Sequence, residues 1–134
     1  MHYVILRDDD TNALTPVDCL EQLYRPFLER GLPVNLAVIP NVRTDTVSPE
    51  GQLEKFLSVK RSSLPLPSLV PIASNRALVQ YLQGNPGFYL LQHGYDHSLF
   101  EFGSDSRASI TGRLDDGAAV LSAAGFRQPA EGFA

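Results

Sequence analysis

Two histidines four residues apart, His93 and His97, end the stretch Leu90-Leu91-Gln92-His93-Gly94-Tyr95-Asp96-His97. Far upstream, three consecutive carboxylates stand at Asp8, Asp9 and Asp10. Neutral imidazoles and a carboxylate are the donor set that suits zinc, at ligand distances of about 2.0–2.2 Å. Each cluster follows an apolar run, Val4-Ile5-Leu6 in the first case and Phe88 to Leu91 in the second. Two strands therefore deliver metal-ligand chemistry at their C-terminal ends, where parallel α/β folds build their sites. The chemistry expected is a mononuclear metal site of one carboxylate and two imidazoles, with a second carboxylate beside it as base. Three adjacent like charges at a strand end repel one another, and either solvent exposure, as in a solvated loop, or a bound divalent cation would relieve that repulsion.

The spacing of His93 and His97 puts both on one face of a helical turn, with Asp96 pointing away from them. Gly94 follows His93 where a metalloprotease helix would carry glutamate, and Gly94 also permits a tight strand exit. A second acidic pair, Asp115-Asp116, falls on the polar side of a helical pattern made by Ile110, Leu114, Ala118 and Leu121, so it reads as a solvated face. The single cysteine, Cys19, has no His or second Cys near it and reads as a small buried or half-buried residue.

The elements that must position these residues follow in order. Tyr3 to Leu6 is apolar without interruption, as in a central parallel strand covered on both faces. Thr15, Pro16 and Asp18 form a helix start, with Thr15 as N-cap and Pro16 at the first helical position. Leu20, Leu23, Tyr24, Phe27 and Leu28 recur at helical spacing, Pro26 threatens a kink, and Gly31 ends the helix. Val34 to Ile39 is a second strand, completing a βαβ unit whose crossover is expected to be right-handed. Gln52 to Val59 predicts a short helix, and the Ser-, Pro- and Leu-rich stretch Arg61 to Pro71 predicts a surface loop, either a functional lid or a disordered excursion. Ser74 or Asn75 caps a helix running through Leu82, Phe88 to Gln92 is the third strand, and a long helix spans Ser106 to Ala124, ended by Gly125. The last residues, through Pro129 to Phe133, read as the approach to a fourth strand.

At 134 residues, 43% hydrophobic and 19% charged, the chain predicts a single domain over residues 1–134 with one core. The net charge of -4 and the lack of a basic tract argue against nucleic-acid binding by phosphate neutralisation. One cysteine excludes an internal disulfide framework and a cysteine-rich zinc site. No apolar run approaches a membrane span and no secretory leader is apparent, so a cytoplasmic location without membrane partners is the expectation. A phosphoacceptor receiver-like domain fits the length and the acids. It would need an aspartate after the third strand and a late lysine, whereas Gln92-His93 stand there and the lysines are Lys55 and Lys60.

An Asp-Asp pair after the first strand with His-x-x-x-His after the third resembles the polysaccharide deacetylase family, the NodB-homology carbohydrate esterases, and its looser relatives. Arg7-Asp8-Asp9-Asp10 is similar to the Arg-x-Asp-Asp variant of those relatives. The resemblance implies Asp9 as catalytic base and Asp10, His93 and His97 as metal ligands. The other register, nearer the Thr-Phe-Asp-Asp-Gly form, implies Asp8 as base and Asp9 as ligand. It further implies a parallel-strand (β/α) barrel-like fold of the α/β class, incomplete in this chain, and a divalent metal, zinc foremost. The implied reaction is removal of acetyl groups from an N-acetylated sugar or related small amide. Pro129 and Phe133 resemble the start of the family's third motif. The later motifs, which supply the group orienting the base and the general acid, find no counterpart, so the chain reads as the N-terminal portion of a larger enzyme or a truncated relative. A non-catalytic metal-binding or oligomerising domain is the alternative, because an incomplete barrel exposes sheet edges and favours homo-oligomers.

Overall fold

The computed structural model describes residues 2, 4–58, 68–103, 106–126 and 133–134. Its elements are β1 (Arg7–Thr11), α1 (Val17–Leu28), β2 (Val34–Val38), β3 (Asn41–Arg43), α2 (Lys55–Ser58), β4 (Leu69–Pro71), a 3-10 turn (Ile72–Ser74), α3 (Arg76–Gly84), β5 (Phe88–Gln92) and α4 (Arg107–Ala123). The fold is mixed α/β. β1, β2 and β5 form a parallel sheet in the order β1-β2-β5, and β3 pairs antiparallel with β4. No closed barrel is present among the described residues. None of the described helices is long and apolar enough to cross a membrane.

β2 is the centre of the sheet, and its alternation explains the layering. Val34, Leu36 and Val38 point to one face and join Leu20, Leu78, Leu82, Phe88, Leu121 and Phe126 in the main core. Ile39, just beyond the strand, joins Ala13 and Val42 in a smaller cluster that seats the β3–β4 pair. Parallel register places Leu36 opposite Asp8 on one side and Leu90 on the other. The C-terminal ends of all three strands therefore share one edge of the sheet.

The first strand is displaced from its expected place. Val4 and Ile5 are 89% and 77% exposed, and the strand begins at Arg7, so it carries the acids instead of preceding them. The partner sets this limit: β2 begins at Val34, preceded by Pro33, and its first contact with this segment is Asn35 N–H donating to Leu6 O at 2.9 Å. A proline has no N–H to extend the ladder. Among the described residues β1 is thus an edge strand, not a central one.

The helices correct smaller expectations. Thr15 does not cap α1: its hydroxyl accepts from Asn12 N–H at 2.9 Å, and Pro16, extended, precedes the helix without a side-chain cap. Pro26 lies in the last turn without breaking α1, since it removes only the bond to the carbonyl of the exposed Gln22. Cys19 and Leu23 are exposed, because the buried stripe of α1 runs through Leu20, Tyr24 and Phe27. The loop expected at Arg61 to Pro71 contains β4 at its end, drawn into strand by pairing Val70 with Val42; residues 61–67 lie outside the described residues. α2 begins at Lys55, later than the expected Gln52. Asp115 and Asp116 are exposed on α4, as the helical pattern predicts. A parallel bridge sets Phe133 beside Gln92, on the side of β5 where a fourth strand is expected, while Pro129 lies outside the described residues.

Asn75 ties this layout together. Its Oδ1 accepts from Leu78 N–H at 3.1 Å and caps α3, while its Nδ2 donates to Ala13 O at 3.0 Å and Thr15 O at 3.1 Å. Asn75→Ala is expected to cost about 2 kcal/mol, the upper end for a lost cap, because two carbonyls lose their donor as well. Asn75→Ser should recover part of that loss by restoring the cap. Urea denaturation at fixed pH measures both.

Candidate metal centre

Between Asp8, opposite Leu36, and Thr11, opposite Val38, β1 contains one residue more than β2. This is a β-bulge, and bulges re-aim side chains. Asp10 sits in it with φ +69, a conformation aspartate tolerates better than most residues. Asn12, nearly fully buried, holds the bulge from behind: its Nδ2 donates to Asp10 O at 2.6 Å and its Oδ1 accepts from Leu14 N–H at 2.8 Å. Asn12 was not apparent as a site residue from spacing. Its signal in the sequence is an asparagine directly after a strand end, where an Asx turn forms.

The bulge separates the three acids. The Tyr24 hydroxyl hydrogen-bonds Asp8; burial and this bond push the phenol's pKa up. Asp9 accepts from Arg7 Nε at 2.7 Å, both side chains half-exposed. Only Asp10 reaches the histidines: its Oδ1 lies 3.3 Å from His93 Nε2 and 3.2 Å from His97 Nε2. Asp10, His93 and His97 each offer a ligand atom within 4.8 Å of the others, and all three are half-buried. The alternative register, with Asp8 as base and Asp9 as ligand, is not the arrangement that β1 brings to the imidazoles. The hydrogen bond with Asp10 is the main cause of the raised pKa of His93, and the Asp9 charge adds to it.

The histidines are carried by an irregular turn and not by the helical turn their spacing predicts. Gly94 and His97 both have φ +60, and the segment contains no helix. His93 extends the ladder of β5, its N–H donating to Val38 O at 2.8 Å. Its Nδ1 lies 2.9 Å from Ala134 O. A proton on Nδ1 leaves Nε2 as the atom facing Asp10, the second-sphere arrangement typical of a metal-binding histidine. His97 packs edge-on against Phe56 at 5.5 Å, and its buried Nδ1 has no hydrogen-bond partner among the described residues, so its polar contact is made through Nε2 alone.

Asp96 does point away from the imidazoles. It is 2% exposed and accepts from Arg43 Nε at 3.0 Å and Nη2 at 2.9 Å, and from Ser98 N–H at 3.0 Å. Burial works to raise its pKa, but the bonds from Ser98 and Arg43 outweigh it and hold the carboxyl below its usual range. Arg43 belongs to the β3–β4 pair, so that small sheet anchors the histidine turn to the main sheet. Nothing local in the sequence pairs residues this far apart.

The donor set fits a divalent ion. Two atoms each about 2.0–2.1 Å from a tetrahedral ion lie about 3.3 Å apart, close to the spacing observed from Asp10 to each imidazole. Three donors among the described residues could hold such an ion. Compared with protein-family models, with curated proteins and with solved structures, the chain finds no match.

Without an ion, Asp10 hydrogen-bonds both imidazoles and holds their pKa values above the ordinary histidine value, while they hold its carboxyl far below the ordinary aspartate value. The raised histidines stabilise the fold below their unfolded pKa, about 6.5, and this is lost as pH rises through their folded values. The depressed Asp10 contributes above its unfolded pKa, about 3.9, and this is lost on deeper acidification. The metal-free protein should therefore exceed Asp10→Asn in stability most clearly between about pH 4 and 6.5, with the gap narrowing at higher pH. Paired denaturation curves over roughly pH 3–9, the span of those titrations, check this.

Proposed function

We propose that this protein is a metal-dependent amide hydrolase of the polysaccharide deacetylase kind, acting on an N-acetylated carbohydrate or a related small amide. The observation that carries the reading is the convergence of Asp10, His93 and His97 from two separate strand ends on one point. Asp10, His93 and His97 would hold the ion, and zinc is the metal the donor set favours. A divalent ion held there supplies Lewis acidity toward a carbonyl and lowers the pKa of water.

The chain's own groups then divide the work. Asp9 is the base that takes the proton of the attacking water, adjacent in sequence to the ligand Asp10 and held by Arg7. Arg7 orients the Asp9 carboxylate at rest through that bond. Asn12 holds the bulge that separates the base from the ligand. Proton delivery to the departing amine is not assigned to any residue, and the remaining histidine, His2, precedes β1.

A second reading is a metal-binding domain that self-associates without turnover. It is favoured by the exposed Val4 and Ile5 beside the edge strand β1. Sedimentation across a concentration series separates the two, since a clean monomer speaks against self-association.

The wild type should bind about one equivalent of zinc with an affinity that rises with pH, because the ion displaces protons from the imidazoles. His93→Ala, His97→Ala and Asp10→Ala should each lose that binding, read by mass spectrometry of the native protein. Asp9→Asn should keep the metal, because Asp9 bonds Arg7 and is not among the three donors, and acetate release from N-acetylated sugars should be little or none with the wild-type chain itself. Equal zinc content in wild type and His93→Ala would end the metal-centre reading.

A further inference from the structure

His97 ends a turn whose carbonyls are tied to β3, with Asn41 N–H donating to Tyr95 O and Arg43 N–H to Asp96 O, both at 3.0 Å, while the N–H groups of the turn need another partner. Three successive backbone N–H groups of that turn point at one carboxylate. Glu101 Oε1 accepts from Tyr95 N–H at 2.6 Å and Asp96 N–H at 3.0 Å, and Oε2 accepts from His97 N–H at 3.1 Å. Successive N–H groups turned inward make an anion-binding nest, and here the anion is supplied by the chain itself, four residues after His97.

The surroundings are shaped to this carboxylate. The Glu101 side chain is only 8% exposed, and Arg113 Nη1 from α4 lies 3.6 Å from Oε1, giving the buried charge a cationic neighbour. Arg113 Nη1 also stands 3.5 Å from Asp96, so Arg43, Asp96, Arg113 and Glu101 form one alternating charge cluster beneath the turn. Gly94 faces the carboxylate directly: a Cβ at that position would collide with Glu101 Oε2, and φ +60 is unfavourable for a side chain in any case. Glycine at 94 thus suits both the positive φ of the turn and the seat of the Glu101 carboxylate.

We propose that Glu101 is the positioning residue of the metal centre, a carboxylate that holds the turn 95–97 so that His97 meets Asp10. It touches neither the ion site nor a substrate and acts only through the backbone of the turn. The proposal rests on the metal-centre reading for its effect on affinity, but its effect on the His97 ring does not need a metal.

Two measurements test it on the full chain. In the metal-free protein, the nuclear Overhauser contact between the His97 and Phe56 rings should be clear in the wild type and lost in Glu101→Ala. Zinc affinity, measured by competition with a chelator at a temperature where both variants are folded, should fall about 10–100-fold in Glu101→Ala, the range for removing an outer-sphere support. Glu101→Gln keeps the shape and one acceptor oxygen, and should lie between the two in both measurements. If Glu101→Ala does not fold, Glu101→Gln carries the test alone. A retained His97–Phe56 contact, with zinc affinity equal to wild type, would overturn the assignment. A wild type that binds no zinc would overturn the metal-centre reading instead, and the ring contact would still decide the role of Glu101.

Discussion

β2 takes parallel partners on both edges, with Leu36 opposite Asp8 on one side and Leu90 on the other. That double pairing is the constraint on which the site depends. It brings the ends of β1 and β5 to the same edge of the sheet with β2 between them. Asp10 and His93 then flank the end of β2, where Ile39 N–H bonds Thr11 O and His93 N–H bonds Val38 O. Slipping either strand by one residue would turn every side chain to the opposite face. The buried face of Val34, Leu36 and Val38 makes that slip costly, so the core enforces the register that the site uses.

Charge repulsion among the three acids is relieved by dispersal. Asp8 turns to the Tyr24 hydroxyl, Asp9 to Arg7, and Asp10 to the two imidazoles. One extra residue in β1 makes this dispersal possible, because regular alternation would set Asp8 and Asp10 on the same side. The buried counterpart lies beneath the histidine turn, where Arg43 and Arg113 face Asp96 and Glu101. Burying carboxylates is costly unless they are paired and hydrogen-bonded. Here the bonds also hold a turn whose other backbone ties are the two that β3 donates to Tyr95 O and Asp96 O.

The parts of the fold legible in the sequence are those with a local signal. The bounds of β5, the long helix ended by Gly125, the Asn75 cap and the solvated pair Asp115-Asp116 follow from periodicity, capping and turn chemistry. The start of β1 was not legible, because an apolar run specifies burial only where a partner strand is present. The β3–β4 pair was hidden for a related reason. Each strand has three residues, too few for a periodic signal, and their partners are distant in sequence: β4 for β3, and the histidine turn on β3's other side.

The residue types able to bind a metal, and the placement of the histidines after a strand, were determined by the sequence alone: imidazoles and carboxylates carry their donor chemistry wherever they stand. Which aspartate meets the histidines was decided only in the tertiary structure. So were the non-helical path from His93 to His97 and the seating of Glu101 beneath it. The reason is physical. The rotation at Asp10 comes from a mismatch in length between paired strands, and the turn is held by bonds from Arg43 and Glu101. A spacing of four between two histidines is compatible with a helix, but it does not encode these partners.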